Sequence, residues 1–118
     1  MAPDPFDTLR LELRRGCLVM AVLGALKTER YGYTLRKTLS DLGMSIEEST
    51  LYPLLRRLES QALLASEWRE EDNRRKRFYR LTAEGRTVLK KLLAEWETLD
   101  SSLVSILKIV KETRHGVA

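Results

Sequence analysis

The hydrophobic period of this 118-residue chain changes twice, and the changes divide it into regions. The run CLVMAVLGALK (17–27) is apolar on nearly every side, the pattern of a central, largely buried helix. Ahead of it, in FDTLRLELRRG, Phe6, Leu9 and Leu13 recur at spacings of three and four, which predicts a short amphipathic helix. Residues 1–5 hold two of the three prolines and predict a loose arm. A turn is expected around Gly32. A second helix should follow, with Leu35, Leu39 and Leu42 inward and Gly43 ending it in a left-handed conformation. A third helix is expected over 45–61. Ser45 with Glu48 fits a capping box, and Leu51, Leu54, Leu55 and Leu58 share one face. The link between these two helices is then about three residues and contains a glycine, as in a helix-turn-helix.

After Gln61 the period drops to two. Leu64, Ser66 and Trp68 alternate with Ala65, Glu67 and Arg69, and Tyr79 and Leu81 alternate with Phe78 and Arg80. The polar stretch EEDNRR lies between them, and its Asp72-Asn73 pair favours a turn, so a β-hairpin with a charged tip is predicted. A helix-turn-helix followed by a hairpin is the winged-helix arrangement, a mainly α (α+β) fold. From Thr82, a good N-cap with Glu84 in the first turn, the helical period returns, and one long helix is expected to the end of the chain. The organisation expected is an N-terminal arm or helix over 1–15, a winged helix-turn-helix domain over 16–82, and a C-terminal dimerisation helix and tail over 83–118.

That last helix carries Leu89, Leu92, Trp96, Leu99, Leu103, Ile106 and Val110 at alternating spacings of three and four, an unbroken heptad register. A helix of about 28 residues would be about 42 Å long, whereas a compact domain of this size has a radius of gyration of about 13 Å. The far end should project beyond the winged domain and leave Leu99, Leu103 and Ile106 uncovered. A homodimer is therefore expected, rather than a monomer with the helix folded back. Leu93 and Leu107 widen the apolar face. Trp96 either packs in this interface or flanks an opening in which flat aromatic ligands stack.

Composition narrows the chemistry. The only cysteine, Cys17, excludes an intramolecular disulfide and a multi-thiolate metal site; it is a small core hydrophobe or a redox-sensing thiol. The only histidine, His115, lies in the polar tail, and no Gly-rich phosphate loop or nucleophile motif occurs, so neither an enzyme nor a cofactor is expected. No stretch of 18 apolar residues and no secretory signal pattern is present, which predicts a cytoplasmic protein without a membrane span. The net charge is +4, and the densest basic run is Arg74, Arg75, Lys76 and Arg77, which is either a nucleic-acid patch or solvated surface.

The outward face of the third helix favours the first reading. It carries Ser49, Pro53, Arg56 and Ser60, flanked by Tyr52 and Arg57. Recognition helices meet base edges with such outward residues. Arg can bond guanine bidentately, Ser can bond bases or phosphates, and Tyr can contact a phosphate or a thymine methyl. Pro53 lacks an N–H and presents a smooth surface there. Arg36 and Lys37 on the second helix are candidate phosphate contacts, and the basic wing over 71–77 could follow the backbone or enter a minor groove. The expectation is binding of double-stranded DNA through the helix 45–61 and the wing. The alternatives are a non-specific architectural DNA binder and a protein–protein adaptor using the heptad helix.

Four stretches, YGYTL (31–35), STLYPLLRRLESQALL (49–64), EW (67–68) and RRKRFYRLTAEGR (74–86), resemble the PadR family of bacterial transcriptional regulators. The resemblance implies a winged helix-turn-helix homodimer that represses a nearby gene and leaves DNA when an effector binds. It implies that Tyr33, Ser49, Thr50, Tyr52, Arg56 and the basic wing meet DNA. The single C-terminal helix resembles that of the small subfamily. The segment EWETLD (95–100) is similar to small members that regulate multidrug transporters, which implies that Trp96 stacks on planar drugs at the dimer centre. The family's name-giving members respond to phenolic acids, and no residue of this chain points to those.

Overall fold

In the computed structural model, which describes residues 4–108, the first helix begins where the Asp4 carboxylate accepts a hydrogen bond from the Phe6 amide at 2.9 Å. Pro5 takes the first helical position, where a missing amide hydrogen costs nothing. This helix, α1, runs unbroken over Pro5–Ala25. The amphipathic and apolar stretches thus form one helix rather than two, because only Gly16 interrupts the strong helix formers between them. Cys17 is half-buried along it. The remaining elements are β1 (Arg30–Tyr31), α2 (Gly32–Asp41), α3 (Glu48–Ser60), β2 (Leu64–Glu71), β3 (Arg74–Leu81) and α4 (Ala83–Ile106). The strands form one antiparallel sheet in the order β1-β3-β2.

The β2–β3 hairpin follows the alternation in the sequence, with Glu71 paired to Arg74 and a two-residue turn between them. Asp72 and Asn73 both have positive φ, 55° and 61°, as a turn matching the twist of the flanking strands requires. Gly43 ends α2 in the expected left-handed region, φ 89°. Thr82 caps α4, its hydroxyl accepting the Gly85 amide at 2.9 Å.

Four expectations are corrected. The region around Gly32 is not a turn: Tyr31 ends the short strand β1, paired to Phe78, and Gly32 opens α2 directly. Leu42 does not face inward; it caps α2, is 77% exposed, and leaves the place against the core to Met44. α3 begins at Glu48 rather than Ser45, and no capping box forms. Instead, the Ser45 hydroxyl pairs with that of Ser40 at 3.2 Å, its carbonyl accepts from Arg14 at 3.0 Å, and Ile46 is buried. The Glu48 carboxylate turns to Arg36 at 2.9 Å rather than back to its own helix end. Burying Ile46 and forming an ion pair across elements prevails over a local cap contributing about 1 kcal/mol. The α2–α3 link is accordingly residues 42–47, longer than expected.

One core cluster holds the elements together. Val22, Leu23 and Leu26 of the first helix and its end meet Leu35 and Leu39 of α2, Leu51, Leu55 and Leu58 of α3, Leu64 and Leu81 of the hairpin, and Leu89 of α4. Backbone bonds from Leu81 to Leu26 (2.8 Å) and from Thr82 to Leu63 (3.1 Å) fix the hairpin base to the helices. α4 packs on α1 but leaves the core after half-buried Leu92. Beyond it, Leu93, Trp96, Leu99, Leu103 and Ile106 are exposed. The α-carbon radius of gyration, 17.3 Å, exceeds the value of about 13 Å for a compact domain of this length, as projecting helices require. Val110, the last position of the heptad register, and His115 lie outside the described residues.

Candidate nucleic-acid interface

α3 is amphipathic, and its burial pattern separates two tasks. Leu51, Leu55 and Leu58 are buried, while Ser49, Thr50, Pro53, Arg56 and Arg57 are exposed. The helix continues through Pro53. Its missing amide deprives the Ser49 carbonyl of an i+4 donor, and that carbonyl lies on the exposed face, where water or a docking partner can satisfy it.

Tyr52 belongs to both faces. It is half-buried against the core, and its hydroxyl lies so close to Gly32 that a Cβ on Gly32 would overlap it. Gly32 is therefore needed where α2 begins, because α3 crosses it at this tyrosine. Tyr33, one residue on, is 64% exposed, and its ring stacks on that of Tyr31 with centroids 6.4 Å apart. Lys37 is exposed on α2. Arg36 is engaged within the protein: its Nε donates to the Ile46 carbonyl at 3.3 Å and its guanidinium pairs with Glu48 at 2.9 Å. It thereby ties α2 to the start of α3.

The pleat of β3 splits the basic run. Arg75 and Arg77 share a face with Ser66, Trp68 and Tyr79, whereas Arg74 and Lys76 share the opposite face with Arg69 and Phe78. On the first face, Arg77 donates to Ser66 Oγ at 2.9 Å and pairs with Glu59 of α3 at 3.0 Å, and the Ser66 hydroxyl donates to Glu59 at 2.6 Å. Arg75 lies 5.0 Å over the Trp68 ring and Arg77 5.6 Å over it. On the second face, Lys76 pairs with Glu71 at 3.3 Å and lies 4.4 Å over the Tyr31 ring. Desolvation pulls the Lys76 pKa down, but hydrogen bonds with Glu71 and Tyr31 outweigh it and leave the ammonium favoured. Arg69 bonds both oxygens of Glu29, at 2.5 and 2.9 Å, and also pairs with Glu67. Those carboxylates hold its pKa above the ordinary arginine value.

Sequence reasoning missed this carboxylate set, since Glu29, Glu59 and Glu71 carry no motif. Tyr79, on the α3-facing side, has its pKa raised above 10 chiefly by burial, with Arg77 and Arg56 opposing that shift. The Glu59–Ser66–Arg77 bonds join α3 to one side of the hairpin, whereas Tyr33 stacks on Tyr31, whose ring meets Phe78 on the other side of the sheet. Among the described residues no group of histidine, cysteine or carboxylate side chains could hold a metal ion, and no helix is long and apolar enough to cross a membrane.

Residues 19–91 match the family model described as the transcriptional regulator PadR-like family. A transcriptional regulator of Mycobacterium tuberculosis is 40% identical over 79 residues, covering 66% of this chain and 74% of that protein. A crystal structure of a PadR family transcriptional regulator from Eggerthella lenta superposes with a TM-score of 0.81 at 50% identity, covering 86% of this chain and 90% of its own. A PadR-like transcription factor from Bacteroides fragilis gives 0.72 at 31% identity, over 85% and 99% of the two chains. With the fold, the exposed helix and these relatives in agreement, the chain belongs to the PadR-like family, whose members are DNA-binding transcriptional regulators and not enzymes.

Proposed function

We propose that the chain acts as a cytoplasmic homodimer that binds double-stranded promoter DNA through α3 and the hairpin wing, represses the gene there, and is released by a small planar aromatic effector. The observation that carries the DNA reading is the division of α3: three of its leucines are buried, and its other side exposes Ser49, Thr50, Pro53, Arg56 and Arg57. Hydroxyls and guanidinium groups on that side suit base edges and phosphates.

The division of labour follows the chain, with 16–82 docking on DNA and 83–118 pairing two copies. The uncovered stripe of α4 supports the homodimer, because a contiguous apolar patch of this kind marks an interface. Phe6, Leu9, Leu11 and Leu13 of α1 are exposed as well, and α1 packs on α4, so both helices offer apolar surface to a second copy. A two-fold dimer presents two α3 helices to two half-sites about one helical turn of DNA apart. Trp96, 42% exposed within the stripe, supports the effector reading, since a ring held there can stack on a flat ligand.

The test is a gel shift with a duplex spanning the gene's own upstream region, compared with a scrambled duplex of equal length across a salt series. Tighter binding to the native duplex at every salt concentration is expected. Equal affinity and equal salt slope on both duplexes would reduce the protein to a phosphate-only binder.

A further inference from the structure

The four basic residues of the wing look equivalent in sequence, and their surroundings make them unlike. Lys76 is nearly covered and paired with Glu71. Arg77 closes a ring with Ser66 and Glu59, so its charge is neutralised where β2, β3 and α3 meet. Arg74 stands on the side that carries Glu67, Glu71 and the Glu29–Arg69 pair, where carboxylates repel phosphate. Arg75, like Arg74, has no ion pair among the described residues, even with Glu70 across the ladder; it differs from Arg74 in that its guanidinium lies over Trp68, on the face that bonds α3.

We infer that Arg75, braced on Trp68, is the wing's phosphate-contacting cation, and that Arg77 is a positioning residue that locks the wing to the recognition helix. The inference rests on the DNA-binding reading above. A guanidinium stacked on a ring uses its face, and the N–H donors around its edge stay directed outward. Trp68 is 52% exposed, so the stacked pair is open to a partner. Holding the arginine in place beforehand lowers the ordering cost when DNA arrives. The orientation also fits. Ser66 and Arg77, on the same face as Trp68 and Arg75, bond Glu59 of α3, so that face continues from the recognition helix towards the wing tip.

Two readouts separate the roles. Affinity for the upstream-region duplex is followed by fluorescence anisotropy between about 50 and 200 mM salt, and thermal stability by circular dichroism. Arg75→Gln should melt like the wild type and lower the salt slope by about 1.8, about 0.9 for each of the dimer's two wings, so that affinity falls about twelvefold less over that range. Arg77→Gln should melt at a lower temperature and keep the wild-type slope. Ser66→Ala, which keeps the arginine and removes two of the ring's three bonds, should behave like Arg77→Gln and serves if that variant does not fold. Trp68→Leu should weaken binding at an unchanged slope, because it removes the platform and no charge. An unchanged slope in Arg75→Gln, or an equal loss of slope in Arg77→Gln, overturns the inference. A wild type that binds native and scrambled duplexes equally overturns the function proposed above instead, and leaves the slope comparison readable.

Discussion

Replacing Gly85 by alanine sets two effects of opposite sign against each other, and the structure decides between them. Gly85 lies in the first turn of α4, where helix propensity alone would favour alanine by about 1 kcal/mol. It is buried, however, and a Cβ there would stand 2.5 Å from Leu81 Cδ1, 3.1 Å from the Leu63 carbonyl carbon, and would overlap the Leu63 oxygen. Carbon atoms in contact sit about 3.5–4.0 Å apart. Neither neighbour can retreat freely: Leu81 is in the core, and the Leu63 carbonyl is backbone that accepts the Thr82 amide at 3.1 Å. Overpacking costs about 1–3 kcal/mol, and breaking that hydrogen bond adds about 1 kcal/mol. The net loss expected is about 2 kcal/mol, a fall in melting temperature of about 8 °C for a domain of this size.

Gly16→Ala is the matched comparison. It is also in a helix interior, with nothing within 4 Å of its added Cβ, and it should gain about 0.5–1 kcal/mol. Both variants are read by thermal and urea unfolding at fixed protein concentration. A Gly85→Ala protein as stable as wild type would show that the approach of Leu63 is not what requires glycine there.

Other expectations follow from exposed or perturbed groups. Leu103 is 52% exposed; covering that half in a dimer contributes about 1 kcal/mol per copy. Leu103→Ala should therefore raise the dimer dissociation constant about 30-fold in sedimentation equilibrium, and an unchanged constant would remove the stripe from the interface. Arg56→Ala should cost about 1–3 kcal/mol at one base position in each half-site of the operator and leave the others unaffected; a uniform loss across all sequences would assign Arg56 to phosphate. Planar aromatic cations should quench tryptophan fluorescence, with Trp68 as background, and quenching that persists in Trp96→Ala would exclude stacking at that ring. Burial raises the pKa of Tyr79, so the folded state holds this proton more tightly than the unfolded state does. Its contribution to stability is complete below pH about 10 and is lost as the pH rises through the folded value. Tyr79→Phe should flatten the alkaline end of the stability profile, and an identical profile would show that other groups govern it.

What the sequence determined by itself is local. The two changes of period, the Asp72-Asn73 turn, the Thr82 cap, Gly43 and the buried leucines of α3 all rest on interactions spanning a few residues, and such interactions are legible along the chain. The winged-helix order follows from them. The tertiary structure decided what depends on distant partners. β1 has only two residues and no periodicity of its own; it exists because β3 pairs with it some fifty positions away. The start of α3 moved from Ser45 to Glu48 because Arg36, 12 positions earlier, draws the glutamate away from a capping role. The same holds for the basic residues: Arg77 is neutralised by Glu59, 18 positions away, and Arg69 by Glu29, 40 away. The sequence therefore placed positive charge on a wing, and only the fold determined which of those charges a phosphate would find uncompensated, because neutralisation depends on separation in space.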